Sequence, residues 1–180
     1  MRGKKVSDLP LRCVVDTNVA TTANNANPAA GDQCVAASAR ALQAVTKEGH
    51  VFIDASGRIV TEYRKNLNPN GQPGVGDLFF KWILTNEWNP QRITRVLITP
   101  RKEDDEDFEE LPTPPEGVRY DPSDRKFLAV ASAHPAHPPI LQSFDSKWWG
   151  WRTALEAAGV SVHFLCQPEI ERKHRQKMKG

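Results

Sequence analysis

The sequence predicts an α/β fold, with a mainly parallel five-stranded sheet between two layers of helices in a three-layer α/β/α arrangement. Three observations lead there. Short apolar, β-branched runs alternate with segments of helical periodicity, which is the pattern of βαβ units. The first run, Leu11-Arg12-Cys13-Val14-Val15, is near-continuously apolar, as expected of a strand covered on both faces. It ends abruptly on Asp16-Thr17-Asn18, which sets a carboxylate at the carboxyl end of a strand, where open α/β sheets hold their ligands.

The remaining elements follow in order. Residues 24–31 form a polar loop with proline and glycine. Asp32 is an expected N-cap for a helix to about Lys47, with Val35, Ala39, Leu42 and Val45 near helical spacing and Gly49 ending it. His50-Val51-Phe52-Ile53-Asp54 reads as the second strand, again closing on an acid. A helix from about Arg58 to Leu67 carries Ile59, Tyr63 and Leu67 on one face, and residues 68–73 form a loop. Between Gly74 and Trp88, the apolar residues Val75, Leu78, Phe79, Trp82 and Ile83 repeat as on an amphipathic helix. Arg95 to Thr99 is the third strand, and the acidic, proline-bearing stretch 102–117 is expected to be a surface insertion. Asp121-Pro122-Ser123-Asp124 opens the next helix, with proline at its first position. Pro139 to Phe144 is the fourth strand, followed directly by Asp145. A Trp-rich helix covers about Lys147 to Ala158, and Ser161 to Cys166 is the fifth strand.

At 180 residues the chain fits one domain, expected over residues 1–168, with a basic tail over 169–180. A net charge of +2 does not by itself argue for nucleic acid. Acid is concentrated from Glu103 to Glu110, and base at the ends, in Arg2, Lys4 and Lys5 and in Arg172, Lys173, Arg175, Lys177 and Lys179. Such runs are commonly solvated loops and tails. The cysteines Cys13, Cys34 and Cys166 show no paired spacing, so buried thiols in a reducing compartment are expected and a disulfide or zinc site is not. With no apolar leader and no run of membrane-spanning length, a cytoplasmic protein is expected.

The acids carry the chemistry. Asp16 and Asp145 end strands one and four, and share a rim of any parallel sheet; they meet if those strands are neighbours. Asp124 complements a helix dipole, yet it also begins the stripe Asp124, Leu128, Ala131, which faces the sheet and where a carboxylate needs a partner. Glu62 borders the packing face beside Ile59 and Tyr63; an ion pair with Arg58 or Lys65 is its ordinary alternative. Carboxylates without clustered histidines or thiols suit a hard cation, Mg²⁺ or Mn²⁺.

In this order and setting, Val14-Val15-Asp16-Thr17-Asn18, Glu62 in Ile59-Val60-Thr61-Glu62-Tyr63, Asp124 in the helix from Asp121 to Ala131, and Phe144-Asp145 resemble the PIN domain family. The resemblance extends over nearly the whole chain to Cys166. It implies the strand order 3-2-1-4-5 and metal-dependent hydrolysis of phosphodiester bonds, most often in single-stranded RNA. On that reading Asp16, Glu62, Asp124 and Asp145 hold one or two Mg²⁺ or Mn²⁺ ions, and an activated water attacks phosphorus in line. Thr17 or Asn18 would orient that water or an outer carboxylate. Arg125, Lys126, Lys147 and Trp149 are candidates for substrate contacts. The long acidic insertion and basic tail depart from compact toxin-like members.

Other features have plainer readings. His134 and His137, flanked by prolines, read as a stiff loop, and Asp54 and Asp121 as turn or cap residues. Trp148, Trp151, Leu155 and Ala158 share a core face, while Trp149 lies off it, where a partly buried packing role is the plainer reading and stacking on a base or meeting a partner the other. The basic tail either tracks phosphates or is unstructured. The expected activity is that of an endoribonuclease, as a toxin or defence effector, with a regulatory protein partner or a second copy of the chain. A nuclease of DNA or of structured junctions, and a catalytically silent scaffold binding RNA or protein, are the alternatives.

Overall fold

Hydrogen-bond pairing between the apolar runs builds the sheet. In the computed structural model, which describes residues 8–70 and 72–180, β1 (Arg12–Val15) lies at its centre. It is flanked by β2 (His50–Asp54) and β4 (Ile140–Gln142), with β3 (Ile93–Val96) and β5 (Val162–Phe164) at the edges. The order is 3-2-1-4-5 and every pairing is parallel, with Arg12 opposite His50 and Val15 opposite Leu141. β1 and β4 are therefore neighbours, which brings Asp16 and Asp145 to one rim. Cys13, Val14 and Val15 are fully buried, as their unbroken apolar pattern requires. The N-terminal Arg2, Lys4 and Lys5 lie outside the described residues.

Helices α1 (Thr17–Ala23), α2 (Asp32–Glu48) and α4 (Val75–Asn86) pack on one another, and α3 (Arg58–Asn66) joins α1 and α4. Helix α5 (Pro122–Ala133) packs across β1, β2 and β4, and α6 (Ser146–Ala157) packs on β5. This is the three-layer α/β/α arrangement. At the crossing of α1 and α4, a Cβ on Gly76 would lie 2.0 Å from the Ala20 carbonyl oxygen, so only glycine permits the approach. Among the described residues no helix is long and apolar enough to cross a membrane.

Several expectations are corrected. Helix α1 follows β1 directly and went unread because its seven residues, three of them β-branched threonines and another a valine, have weak helical propensity. The Asp16 carboxylate starts it by accepting from the Asn18 N–H at 3.1 Å. Gly31, not Asp32, is the N-cap of α2. The supposed tail is the helix α7 (Gln167–Met178), which packs on α6. Its buried residue is Ile170, so no apolar stripe announced it. Glu169 accepts from the Gly31 N–H at 2.9 Å, and Lys173 donates to the Phe144 carbonyl at 3.3 Å.

The cysteines also differ from expectation. Cys34 and Cys166, 132 residues apart in sequence, are joined by a disulfide with their Cα atoms 5.1 Å apart. Their partnership is created by tertiary contact, which spacing does not reveal. Cys13 is the buried thiol expected, and burial pushes it up to about 12. The acidic insertion is anchored, not free: Phe108 is buried in the main core and its backbone pairs with Pro100 in an antiparallel bridge. Of the four residues expected on the core face of α6, Trp148, Trp151 and Leu155 are buried, whereas Ala158 is the exposed C-cap. His134 and His137 do form a loop, with His134 Nδ1 accepting from the Ala136 N–H at 3.1 Å.

Candidate carboxylate site at the β1–β4 rim

The site starts where β1 stops. Asp16 is 4 % exposed, and its Oδ2 accepts both the Asn18 N–H and, at 2.9 Å, an N–H of the Gln142 side chain. Gln142 is itself fully buried, the last residue of β4. Asn18 ties the two strand ends together, since its Oδ1 accepts the Phe144 N–H at 2.6 Å. The Tyr63 hydroxyl donates to the Val15 carbonyl at 2.5 Å, which pins α3 to the end of β1. The Asp16 position is thus fixed by neighbours on three elements.

Glu62 reaches the same rim from α3. The Thr17 hydroxyl donates to its Oε1 at 2.6 Å, and the Lys126 ammonium pairs with its Oε2. The ordinary alternative, a pair with Arg58 or Lys65, is not formed. Helix periodicity explains why: the Glu62 face turns toward α1 and α5, where Thr17 and Lys126 await it. Lys126 also donates to the Ser123 carbonyl on its own helix.

Asp124 and Asp145 meet around a second lysine. Lys147 Nζ pairs with Asp121, lies 3.3 Å from Asp124 Oδ2 and 3.5 Å from Asp145 Oδ2. Asp145 is the N-cap of α6, its Oδ1 accepting the Lys147 N–H at 3.0 Å. Asp121 occupies the N-cap position of α5 but makes no side-chain cap bond; it spends its carboxylate on Lys147, which corrects its reading as a simple cap. Asp54 is the cap expected of it: it accepts the N–H groups of Arg58 and Ile59, each at 2.8 Å.

The electrostatics follow from this crowding. Burial first, then the charges of Asp124 and Glu62, push Asp16 well above the ordinary carboxylate value; the bonds from Gln142 and Asn18 only partly offset them. Burial is also the main cause raising Asp124 to about 6; Lys147 opposes that shift and Asp145 adds to it. Lys147 moves the other way. Burial alone would lower it, but its bond to Asp121 and the charges of Asp124 and Asp145 prevail and hold it as an ammonium. The two partners agree once geometry is considered: Lys147 divides one charge among three carboxylates, and Asp124 is the most buried of them.

Asp16, Glu62, Asp124 and Asp145 offer only oxygen donors and excess negative charge, a set that fits a hard divalent cation. Among the described residues, no group of three or more carboxylates, imidazoles or thiols is so placed that it could hold a metal ion as it stands. Lys126 holds Glu62 and Lys147 holds Asp124 and Asp145, while Asp16 is held by Gln142 and the Asn18 N–H.

The supporting candidates divide. Thr17, Asn18, Lys126 and Lys147 belong to the cluster. Arg125 turns to the acidic insertion, donating to the Tyr120 carbonyl at 3.1 Å and pairing with Asp104 at 3.3 Å. Trp149 is 9 % exposed, edge-on to Phe164 and covered by the Arg152 guanidinium at 4.1 Å, so packing occupies it in this arrangement. Gln142 and Tyr63 went unrecognised as site residues. A glutamine ending the apolar run Ile140-Leu141-Gln142 was the available signal for the first.

Comparison with protein-family models, curated proteins and solved structures finds no match to this chain.

Proposed function

We propose that this chain is a divalent-metal-dependent nuclease of PIN type that hydrolyses phosphodiester bonds, foremost as an endonuclease of single-stranded RNA. The observation that supports this most is the convergence of Asp16, Glu62, Asp124 and Asp145, from β1, α3, α5 and the end of β4, on one rim at the β1–β4 switch point. Burying mutually repelling carboxylates costs stability, and such cost concentrates at functional sites. Mg²⁺ or Mn²⁺, when bound there, would neutralise phosphate oxygens and acidify water.

The chain's own residues have assignable tasks. Asp16, Glu62, Asp124 and Asp145 are the cation ligands. Gln142 and the Asn18 N–H orient Asp16, and Thr17 orients Glu62. Lys126 pairs with Glu62, and Lys147 shares its charge among Asp121, Asp124 and Asp145. With a cation held by these acids, both ammonium groups would be available to phosphate oxygens. A cytoplasmic site of action belongs to this reading, and the Cys34–Cys166 bridge weighs against it, since disulfides persist chiefly in oxidising compartments. A toxin or defence role, restrained by a partner protein or a second copy of the chain, belongs to it as well.

One observation favours a second reading, a silent RNA- or protein-binding scaffold: without any cation, Glu62 already pairs with Lys126, Asp124 and Asp145 with Lys147, and Asp16 with Gln142. The deciding experiment gives single-stranded RNA and DNA to the protein with Mn²⁺ or Mg²⁺, beside Asp16→Asn and Asp145→Asn. Cleavage by wild type that both substitutions abolish supports the nuclease. Preferred cleavage of DNA assigns that substrate instead. Cleavage that survives in both folded variants defeats the assignment of these acids, and RNA binding without cleavage supports the scaffold.

A further inference from the structure

A cavity of about 510 Å³ opens beside the carboxylates, between α3, the start of α5 and the acidic insertion. Its volume lies in the range of pockets that enclose small ligands. Arg58, Glu62, Lys65, Glu106, Ser123 and Lys126 line it, with Phe108 behind. Glu62 belongs to both cavity and cluster: its Oε1 is held by Thr17, the residue after Asp16. Ser123 precedes Asp124. The cavity therefore begins where the carboxylate cluster ends.

The charge of its wall favours an anion. Lys126 and Glu62 pair with each other and cancel, which leaves Arg58 and Lys65 against Glu106. The N–H groups at the start of α3 are taken up by Asp54, so side chains, not that helix dipole, supply the attraction. Arg58 is the most telling of them. Its guanidinium lies 5.4 Å from the Phe108 ring centre, and its Nε is buried with no hydrogen-bond partner among the described residues. A desolvated, unsatisfied donor is costly, and the planar fork of arginine matches phosphate oxygens. Ser56, Thr61 and Asn66 complete the lining; they already donate to Asp54 and to the Gly57 and Glu62 carbonyls, so their oxygens remain as acceptors for the amino and hydroxyl groups of a ligand. They suit a splayed-out nucleotide, the form in which single strands are read.

We infer that this cavity seats the nucleotide adjacent to the scissile phosphate of a single-stranded RNA, with Arg58 and Lys65 holding its phosphate; the inference rests on the nuclease reading above. The probe is a fluorescein-labelled 12-nucleotide oligouridine, titrated by anisotropy in Ca²⁺ between 50 and 200 mM salt, roughly the range over which phosphate contacts reveal themselves. Arg58→Ala and Lys65→Ala should each raise Kd about tenfold and shallow the log–log salt slope by about 1. Lys47→Ala, on the far end of α2, should leave both unchanged. Arg58→Lys should recover slope but not full affinity. With Mn²⁺, KM for cleavage should rise in parallel. Lys65 is exposed, so its variant tests the cavity even where Arg58→Ala disturbs Phe108. Wild-type affinity and slope in both alanine variants overturn the inference, while cleavage that depends on Asp16 leaves the nuclease reading in place. A wild type that neither binds nor cleaves the oligonucleotide overturns both.

Discussion

Replacing Asp124 by asparagine in the metal-free protein should stabilise the fold at pH 8. Asp124 is 7 % exposed, and burial is the main cause that raises its carboxyl from 3.8 to about 6, against the pull of Lys147. A raised carboxyl binds its proton more tightly in the folded chain than in the unfolded one. Its contribution is therefore full below pH 3.8 and is lost as pH climbs through about 6. A shift of about 2 units at about 1.4 kcal/mol per unit makes ionisation cost about 3 kcal/mol. Asparagine has nothing to ionise. It forfeits a 3.3 Å contact with Lys147, which retains Asp121 and Asp145. The expected net gain is about 1–3 kcal/mol at pH 8. Urea unfolding in EDTA at pH 4 and pH 8 measures it: the variant should be the more stable at pH 8 and should lose less stability than wild type between the two values. A variant destabilised at pH 8 by more than about 1 kcal/mol, with an unchanged pH profile, would refute the claim that crowding strains this site.

Three further outcomes follow from particular contacts. Gln142→Leu removes a buried donor to Asp16 and should cost about 1–3 kcal/mol in urea unfolding; no loss would show that Asp16 is held by its backbone bond alone. Gly76→Ala pushes a methyl against the Ala20 carbonyl and should cost about 1–3 kcal/mol, read as a lower thermal midpoint. Reduction of the Cys34–Cys166 bridge, which closes a loop of 132 residues, should destabilise the chain by about 3–5 kcal/mol. Identical midpoints with and without reductant, or free thiols at both positions in protein isolated under oxidising conditions, would contradict the bridge.

What the sequence makes legible follows the strength of the local signal. β1, β2, α4 and α5 are written in unbroken apolar runs, helical repeats and a proline after an N-cap, and local physics alone places them. Helices α1 and α7 are not, because the first is short and β-branched and the second buries chiefly one isoleucine; tertiary contact forms both. The acids show the same division. Asp16 directly follows β1 and Asp145 lies three residues past β4, at the N-cap of α6, so a parallel sheet sets both on one rim and the strand order then makes them neighbours. The partners are another matter: no spacing tells that Lys147 of α6 reaches Asp121 and Asp124 of α5, or that Lys126 of α5 takes Glu62 of α3. Such pairs depend on the packing of distant helices. The disulfide was hidden for the same reason.

The most direct test of the central claim is the uptake of Mn²⁺ by the purified protein, followed as loss of the free-ion signal in electron paramagnetic resonance. If the rim carboxylates are cation ligands, wild type takes up one or two ions per chain and Asp16→Asn, folded by circular dichroism, takes up none over the same concentrations. Equal uptake by both proteins, or none by wild type, contradicts the account.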